Sequence, residues 1–328
     1  MSQITPGKAR GLARISDGEG RYAVLAIDQR PQLFGLIARA LGKADDAVAE
    51  ETGELKGILA SALSGAITGL LVDPAYGYHR VAPTLPRAVG LLLTLEDHRV
   101  ETRPDGHRLS RLIPGWGVAQ AVRAGAEALK LLVYYRPDAP QEVRASQVAL
   151  VRQVGTECRS HDRPFVLEIL PYRLPGEGDA DYARNLPALS AAIAEAFADG
   201  SFGVDLYKLA LPGDADSVED WGGTQYRLEA LQEEMMRLTR MLPAPWVLLS
   251  GGMPPDRFVE ALRAALGAGA RGYLAGRAVW WAPLQAYPDL EAVRQNLSRG
   301  GLAVLRALNR ELDQIPVQVP QAVWRLPL

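Results

Sequence analysis

Eight short runs of apolar residues recur along the chain: "YAVLAID" (22–28), "ITGLLVD" (67–73), "AVGLLLT" (88–94), "ALKLLVYY" (128–135), "PFVLEIL" (164–170), "VDLYKLA" (204–210), "PWVLLSG" (245–251) and "RGYLAGR" (271–277). They are continuous rather than alternating, as expected of parallel strands covered on both faces. Between most of them the apolar spacing changes to the helical period. In "PDRFVEALRAALGAGA", Phe258, Val259, Leu262 and Leu266 share a face, Pro255 suits a first turn and Gly267 an end. The segments "DYARNLPALSAAIAEAFADG" and "QYRLEALQEEMMRLTRML" behave similarly. The link from the second run to the third is too short for a full crossover helix, so that unit is expected to be degenerate.

Strands alternating with helices over this length predict the α/β class and a single (β/α)8 barrel domain over residues 1–328. Residues 1–20 are expected as an N-terminal extension. The apolar, Pro-rich tail, about 315–328, is expected to pack on the barrel or on a partner subunit, which suits a homodimer or larger assembly. The rival architecture, an open doubly wound sheet, usually carries a Gly-x-Gly-x-x-Gly turn after its first strand; "AIDQRPQLFG" stands there instead.

Composition excludes several classes of function. With 36 Lys and Arg against 38 Asp and Glu, the formal net charge of −2 offers no basic surface for nucleic acid. No apolar run reaches the ~20 residues of a membrane span, and "MSQITPGKARGLARISDGEG" lacks a secretory core, so a cytoplasmic setting is expected. The one cysteine, Cys158, sits in a helical pattern and reads as a packing residue. His79, His98, His107 and His161 fall in loops or helix ends without a metal-ligand spacing, so neither a metal nor another cofactor is expected.

Barrel chemistry gathers at the carboxyl ends of strands. Those ends hold Asp28, Asp73, Glu168 and Lys208, and Lys130 lies early in the fourth run. Lys130, Glu168 and Lys208 are flanked by aliphatic residues and would be costly to bury singly, so they should share one polar centre. Two lysines against one or two carboxylates are poorly balanced for a purely structural network, and that imbalance favours chemistry. A cationic neighbour makes a lysine easier to deprotonate, and a neutral lysine attacks carbonyls to give a Schiff base. Glu168 is suited to move protons. At the last two strands, Ser250, Gly251, Gly252, Gly276 and Arg277 offer backbone N–H groups and one cation to a phosphate. The long loop 95–115 carries Arg99, Arg103, Arg108 and Arg111; it reads either as an anion-attracting lid or as a solvated loop.

Taken in order, "VLAIDQR", "LLVDPAYG", "ALKLLVYY", "FVLEILPY", "VDLYKLALP", "WVLLSGG" and "YLAGRAVW" resemble the class I tagatose-1,6-bisphosphate aldolases, with the sulfofructose-1-phosphate aldolases as similar relatives. The resemblance runs from about residue 15 to about residue 285. It implies a (β/α)8 barrel and metal-free cleavage of a ketose phosphate to dihydroxyacetone phosphate and an aldehyde. It further implies Lys208 as the Schiff-base lysine, Glu168 in proton transfer, and Lys130 and Asp28 as catalytic partners. Gln29 and Arg30 would touch substrate, and Ser250, Gly251, Gly276 and Arg277 would hold phosphate. One departure is Ala210, where the family usually has an acidic residue. Three readings stay open: the tagatose-bisphosphate type, the sulfosugar type, and a sugar-phosphate-binding regulator without turnover. Arg30, Tyr78, His79, Arg80 and the loop arginines are candidates for the far end of the sugar.

Overall fold

The computed structural model describes residues 4–315, so the tail expected at about 315–328 lies almost wholly outside the described residues. All eight apolar runs form strands: β1 (Tyr22–Ala26), β2 (Gly69–Val72), β3 (Gly90–Thr94), β4 (Ala128–Tyr134), β5 (Phe165–Leu170), β6 (Leu206–Leu209), β7 (Trp246–Leu249) and β8 (Gly272–Ala275). Each pairs in parallel with its neighbours in sequence, and β8 closes on β1. The expected barrel is the observed one.

Helices follow the predicted periods: Asp179–Ala196, Leu228–Met241 and Pro255–Gly267. Their apolar stripes cover the outside of the strands, so each strand is buried on both faces. Between β2 and β3 only a four-residue helix, Tyr78–Val81, appears.

Along a strand, alternate side chains face inward. The inward residues low in the barrel form a dry floor: Tyr22, Val24, Leu71, Leu92, Ala128, Val166, Leu206, Val247 and Leu274. Burying one such leucine is worth about 1.5–3 kcal/mol. The described part of the N-terminal extension, residues 4–20, contributes to this floor. The helix Pro6–Arg14 crosses beneath it and delivers fully buried Ile15 into the same cluster. Its close approach depends on Gly11, where a Cβ would sit 2.5 Å from the Glu127 carbonyl oxygen. Lys8 fastens the helix to Asp205 at 2.6 Å.

The 95–115 loop has local structure of its own. Glu101–Thr102 and Arg108–Leu109 pair as a small antiparallel hairpin. His107 Nδ1 lies 3.0 Å from the Tyr172 hydroxyl, which ties the hairpin to the segment after β5.

Candidate active site

Two residues along from the apolar floor, the inward positions turn polar. Ala26 is followed by Asp28, Ala128 by Lys130, Val166 by Glu168 and Leu206 by Lys208. In β3 the same alternation runs Leu92, Thr94, Glu96, carrying the strand's inward face into the loop. Strand register places Leu132 beside Glu168 and Glu168 beside Lys208, so these groups share one level. They open into a cavity of about 390 Å³ at the carboxyl ends of the strands.

Glu168 Oε2 bridges the two lysines, 2.7 Å from Lys208 Nζ and 2.8 Å from Lys130 Nζ. Lys130 also contacts Asp28 at 2.9 Å and Glu96 at 2.5 Å. All five are buried. Glu96 accepts the Leu132 N–H at 3.0 Å, and Arg30 donates to the Glu96 carbonyl at 3.1 Å and lies 3.8 Å from its carboxylate. The expected shortage of carboxylates is thus corrected. Glu96, which lies in the non-periodic stretch "LEDHRVETRPDGHRLSRLIPG" and carried no role from sequence, makes three acids against Lys130, Lys208 and Arg30. Its signal was the i, i+2, i+4 spacing from Leu92.

Electrostatics separates the roles of these groups. Burial opposes the charge on Lys130, but Asp28, Glu168 and Glu96 outweigh it and hold its pKa well above that of an ordinary lysine. Burial likewise favours a neutral Asp28, yet Lys130 and Lys208 hold that carboxyl well below the usual carboxylate range. Lys130 is therefore a fixed cation and Asp28 a fixed anion. Lys208 Nζ touches the same Glu168 carboxylate oxygen as that cation.

Asp73 has a different task from the other strand-end acids. It is fully buried, pairs with Lys56 of the helix Ala49–Leu63 and accepts the Tyr76 N–H at 2.7 Å. It braces the loop after β2 and does not line the cavity.

Across the cavity the ends of β7 and β8 meet. Gly251 and Gly252 adopt φ of +59° and +97°, a region that side chains disfavour, so the turn exposes its backbone. The Gly276 N–H reaches Ser250 Oγ at 3.4 Å, and Arg277 donates to the Gly251 carbonyl at 2.8 Å. A Cβ on Gly276 would sit 2.7 Å from the Ala26 carbonyl oxygen and 2.8 Å from Gln29 Nε2. Backbone N–H groups beside one arginine form a concave site for an anion. Gln29 and Arg30 also line the cavity, and Gln29 Oε1 and Arg30 Nε are buried without a hydrogen-bond partner among the described residues. Ala210 lines it too.

Of the remaining candidates, Tyr78, His79 and Arg80 sit away from the cavity. Tyr78 donates to the Ala124 carbonyl at 2.7 Å and Arg80 pairs with Glu50. His98, unassigned from sequence, stands at the mouth; burial and Arg30 both lower its pKa. Cys158 is fully buried, and burial pushes its thiol up, as suits a packing residue. Among the described residues, no group of three His, Cys, Asp or Glu side chains is arranged to hold a metal ion, and no helix is long and apolar enough to cross a membrane.

Comparison with known proteins adds a lineage to this geometry. A tagatose 1,6-diphosphate aldolase 2 of Streptococcus mutans is 32% identical over 320 residues, covering 94% of this chain and 95% of that protein. A tagatose 1,6-diphosphate aldolase of Listeria innocua is 30% identical over 322 residues, covering 96% and 94%. Among solved structures, a Schiff base-forming fructose-1,6-bisphosphate aldolase aligns with a TM-score of 0.57 at 19% identity, covering 92% of this chain and 98% of that one. A fructose-bisphosphate aldolase from Plasmodium falciparum aligns at 0.64 and 13%, covering 96% and 98%. At such identities these two speak for the shared barrel. The model of the DeoC/LacD family aldolases matches residues 23–282, and the chain belongs to that family.

Proposed function

We propose that this protein is a metal-independent class I aldolase that cleaves tagatose 1,6-bisphosphate, or a close ketohexose bisphosphate, to dihydroxyacetone phosphate and an aldehyde phosphate. The observation that carries the reading is the buried Lys208–Glu168–Lys130 relay, with one carboxylate oxygen 2.7 Å and 2.8 Å from the two amines. Similarity over nearly the full chain to proteins named tagatose 1,6-diphosphate aldolase supports the choice of sugar.

In the proposed cycle Lys208 hands a proton to Glu168 and its lone pair attacks the ketone carbon. The carbinolamine takes a proton on its hydroxyl from Glu168 and loses water, leaving a protonated Schiff base. Glu168 then removes the proton from the hydroxyl on the carbon that becomes the aldehyde. The carbon–carbon bond breaks and its electrons flow into the iminium, which becomes an enamine. Protonation of the enamine and addition of water release dihydroxyacetone phosphate and return the amine. Lys130 keeps its positive charge throughout and stabilises whichever acid is ionised; Asp28 orients Lys130 and accepts from substrate hydroxyls. Ser250, Gly251, Gly252, Gly276 and Arg277 hold the phosphate next to the ketone, and Gln29 and Arg30 offer their unpaired atoms to hydroxyls of the open chain.

Borohydride reduction in the presence of dihydroxyacetone phosphate tests the assignment. A three-carbon phosphate adduct on Lys208, absent from Lys208→Ala, is the expected mass-spectrometric result. Adduct on another residue, or none from an active preparation, overturns it.

A further inference from the structure

In the proposed cycle the enamine carbon takes up a proton after the aldehyde leaves, and that proton needs a donor. Glu168 already serves the carbinolamine and the departing aldehyde, and its strand register sets it at the level of Lys208. One inward step above that level, the wall of the cavity is made by Tyr134, Leu170 and Ala210. Tyr134 follows Lys130 and Leu132 on the inward face of β4 and pairs in register with Leu170. Of the three, only Tyr134 carries an exchangeable proton.

The phenol is held in place while its polar end is left unengaged. Its backbone N–H donates to Ser110 Oγ at 3.1 Å, and Tyr172 meets its ring nearly edge-on, with centroids 6.2 Å apart at 82°. Arg108 does not line the cavity; its guanidinium carbon lies 5.0 Å from the centre of the Tyr134 ring. The Tyr134 hydroxyl has no hydrogen-bond partner among the described residues. It interacts electrostatically with Glu168 and Lys130 on its own side of the cavity and with Arg277 across the mouth. Burial pushes its pKa up and Arg108 opposes that shift, so the phenol keeps its proton near neutral pH. A phenolate formed there would lie against the charge of Arg108.

Building on the aldolase reading, we propose that Tyr134 is the catalytic acid that protonates the enamine carbon of the dihydroxyacetone phosphate half bound to Lys208. The phenol O–H bond breaks, the enamine π electrons form the new C–H bond, and the nitrogen becomes an iminium again. The phenolate regains a proton from Glu168, which took it from the sugar hydroxyl at cleavage, through solvent that enters behind the departing aldehyde. Glu168, ionised once more, accepts a proton from the water that attacks the iminium.

Run backwards, the same step removes that hydrogen, so dihydroxyacetone phosphate alone should exchange it with solvent. The test is proton NMR of dihydroxyacetone phosphate in D2O with the wild type and Tyr134→Phe. Borohydride trapping and single-turnover release of aldehyde from tagatose 1,6-bisphosphate accompany it. Phenylalanine keeps the ring against Arg108 and Tyr172. In Tyr134→Phe, exchange and steady-state turnover should fall by about 100-fold or more, while the Lys208 adduct and the first equivalent of aldehyde stay within about threefold of wild type. Exchange within about threefold of wild type overturns the proposal. So does a parallel loss of adduct, aldehyde release and exchange with a lower Tm, the mark of a ring that only braces the wall. A wild type that neither exchanges nor forms the Lys208 adduct overturns the aldolase reading and this step with it, whereas normal exchange by Tyr134→Phe overturns the step alone.

Discussion

Replacing Lys130 by methionine removes a fixed cation and leaves a side chain of nearly the same length. Asp28, Glu96 and Glu168, all within 2.9 Å of that ammonium, would then face only Lys208 and Arg30, leaving the buried cluster one negative charge in excess. Removing one partner from a buried ionic network costs about 3–5 kcal/mol. An unfolding entropy near 2.1 cal/mol/K per residue gives about 0.7 kcal/mol/K for 328 residues, so Tm should fall by about 4–7 °C. The pH profile has a defined shape. Lys130 has a raised folded pKa, so its contribution is full below the ordinary 10.5 and is lost as pH rises through the folded value. Asp28 has a depressed pKa, so its contribution is present above 3.8 and is lost as pH falls through the folded value. The deficit of Lys130→Met should therefore be flat between about pH 5 and 10 and narrow at both ends. Adding Glu96→Gln restores charge balance and should recover about half of the lost stability, while kcat stays at least ~100-fold down because the electrostatic support is gone. Denaturant titrations across pH and a coupled triose phosphate assay read both quantities. A deficit below about 1 kcal/mol at pH 7, typical of exposed pairs, or one that widens toward pH 3, refutes the reasoning.

Three further outcomes are expected. Gly276→Ala should lower stability by about 1–3 kcal/mol and weaken dihydroxyacetone phosphate binding, because its methyl group meets the Ala26 carbonyl and Gln29; chemical denaturation and calorimetry check both. Lys56→Met should destabilise the fold by about 3–5 kcal/mol by stranding buried Asp73, and adding Asp73→Asn should recover part of that loss, as double-mutant denaturation would show. Cleavage activity should survive dialysis against excess chelator, and its loss with recovery on adding a divalent cation would contradict the lysine-based mechanism.

How much of this was readable from the chain follows from the kind of signal each residue leaves. Parallel strands buried on both faces leave continuous apolar runs, so all eight were visible, and lysine or glutamate inside such a run stands out against its neighbours. Lys130, Glu168 and Lys208 were legible for that reason. Glu96 was not, because its surroundings are charged and its burial depends on the hairpin folding back over the barrel; Trp116 contributes by donating to the Thr94 carbonyl at 3.0 Å. Asp73 is the opposite case. A carboxylate at a strand end looks catalytic, but its partner Lys56 comes from a helix outside the barrel, a pairing that no local pattern reveals. The loop arginines left two readings open, an anion-attracting lid or a solvated loop, and three of the four lie against nearby acids, Arg99 and Arg111 sharing Asp97.

The helix Pro6–Arg14 and Ile15 cork the bottom of the barrel, and that has a kinetic consequence. With the floor shut, ligand traffic is one-way in and the same way out. Under the proposed chemistry the fragment not bonded to Lys208 lies free in the cavity after cleavage and must clear the mouth before solvent can hydrolyse the tethered half. Product departure is then sequential, aldehyde first, and added aldehyde should slow turnover by re-forming the carbon–carbon bond before the tether is cut.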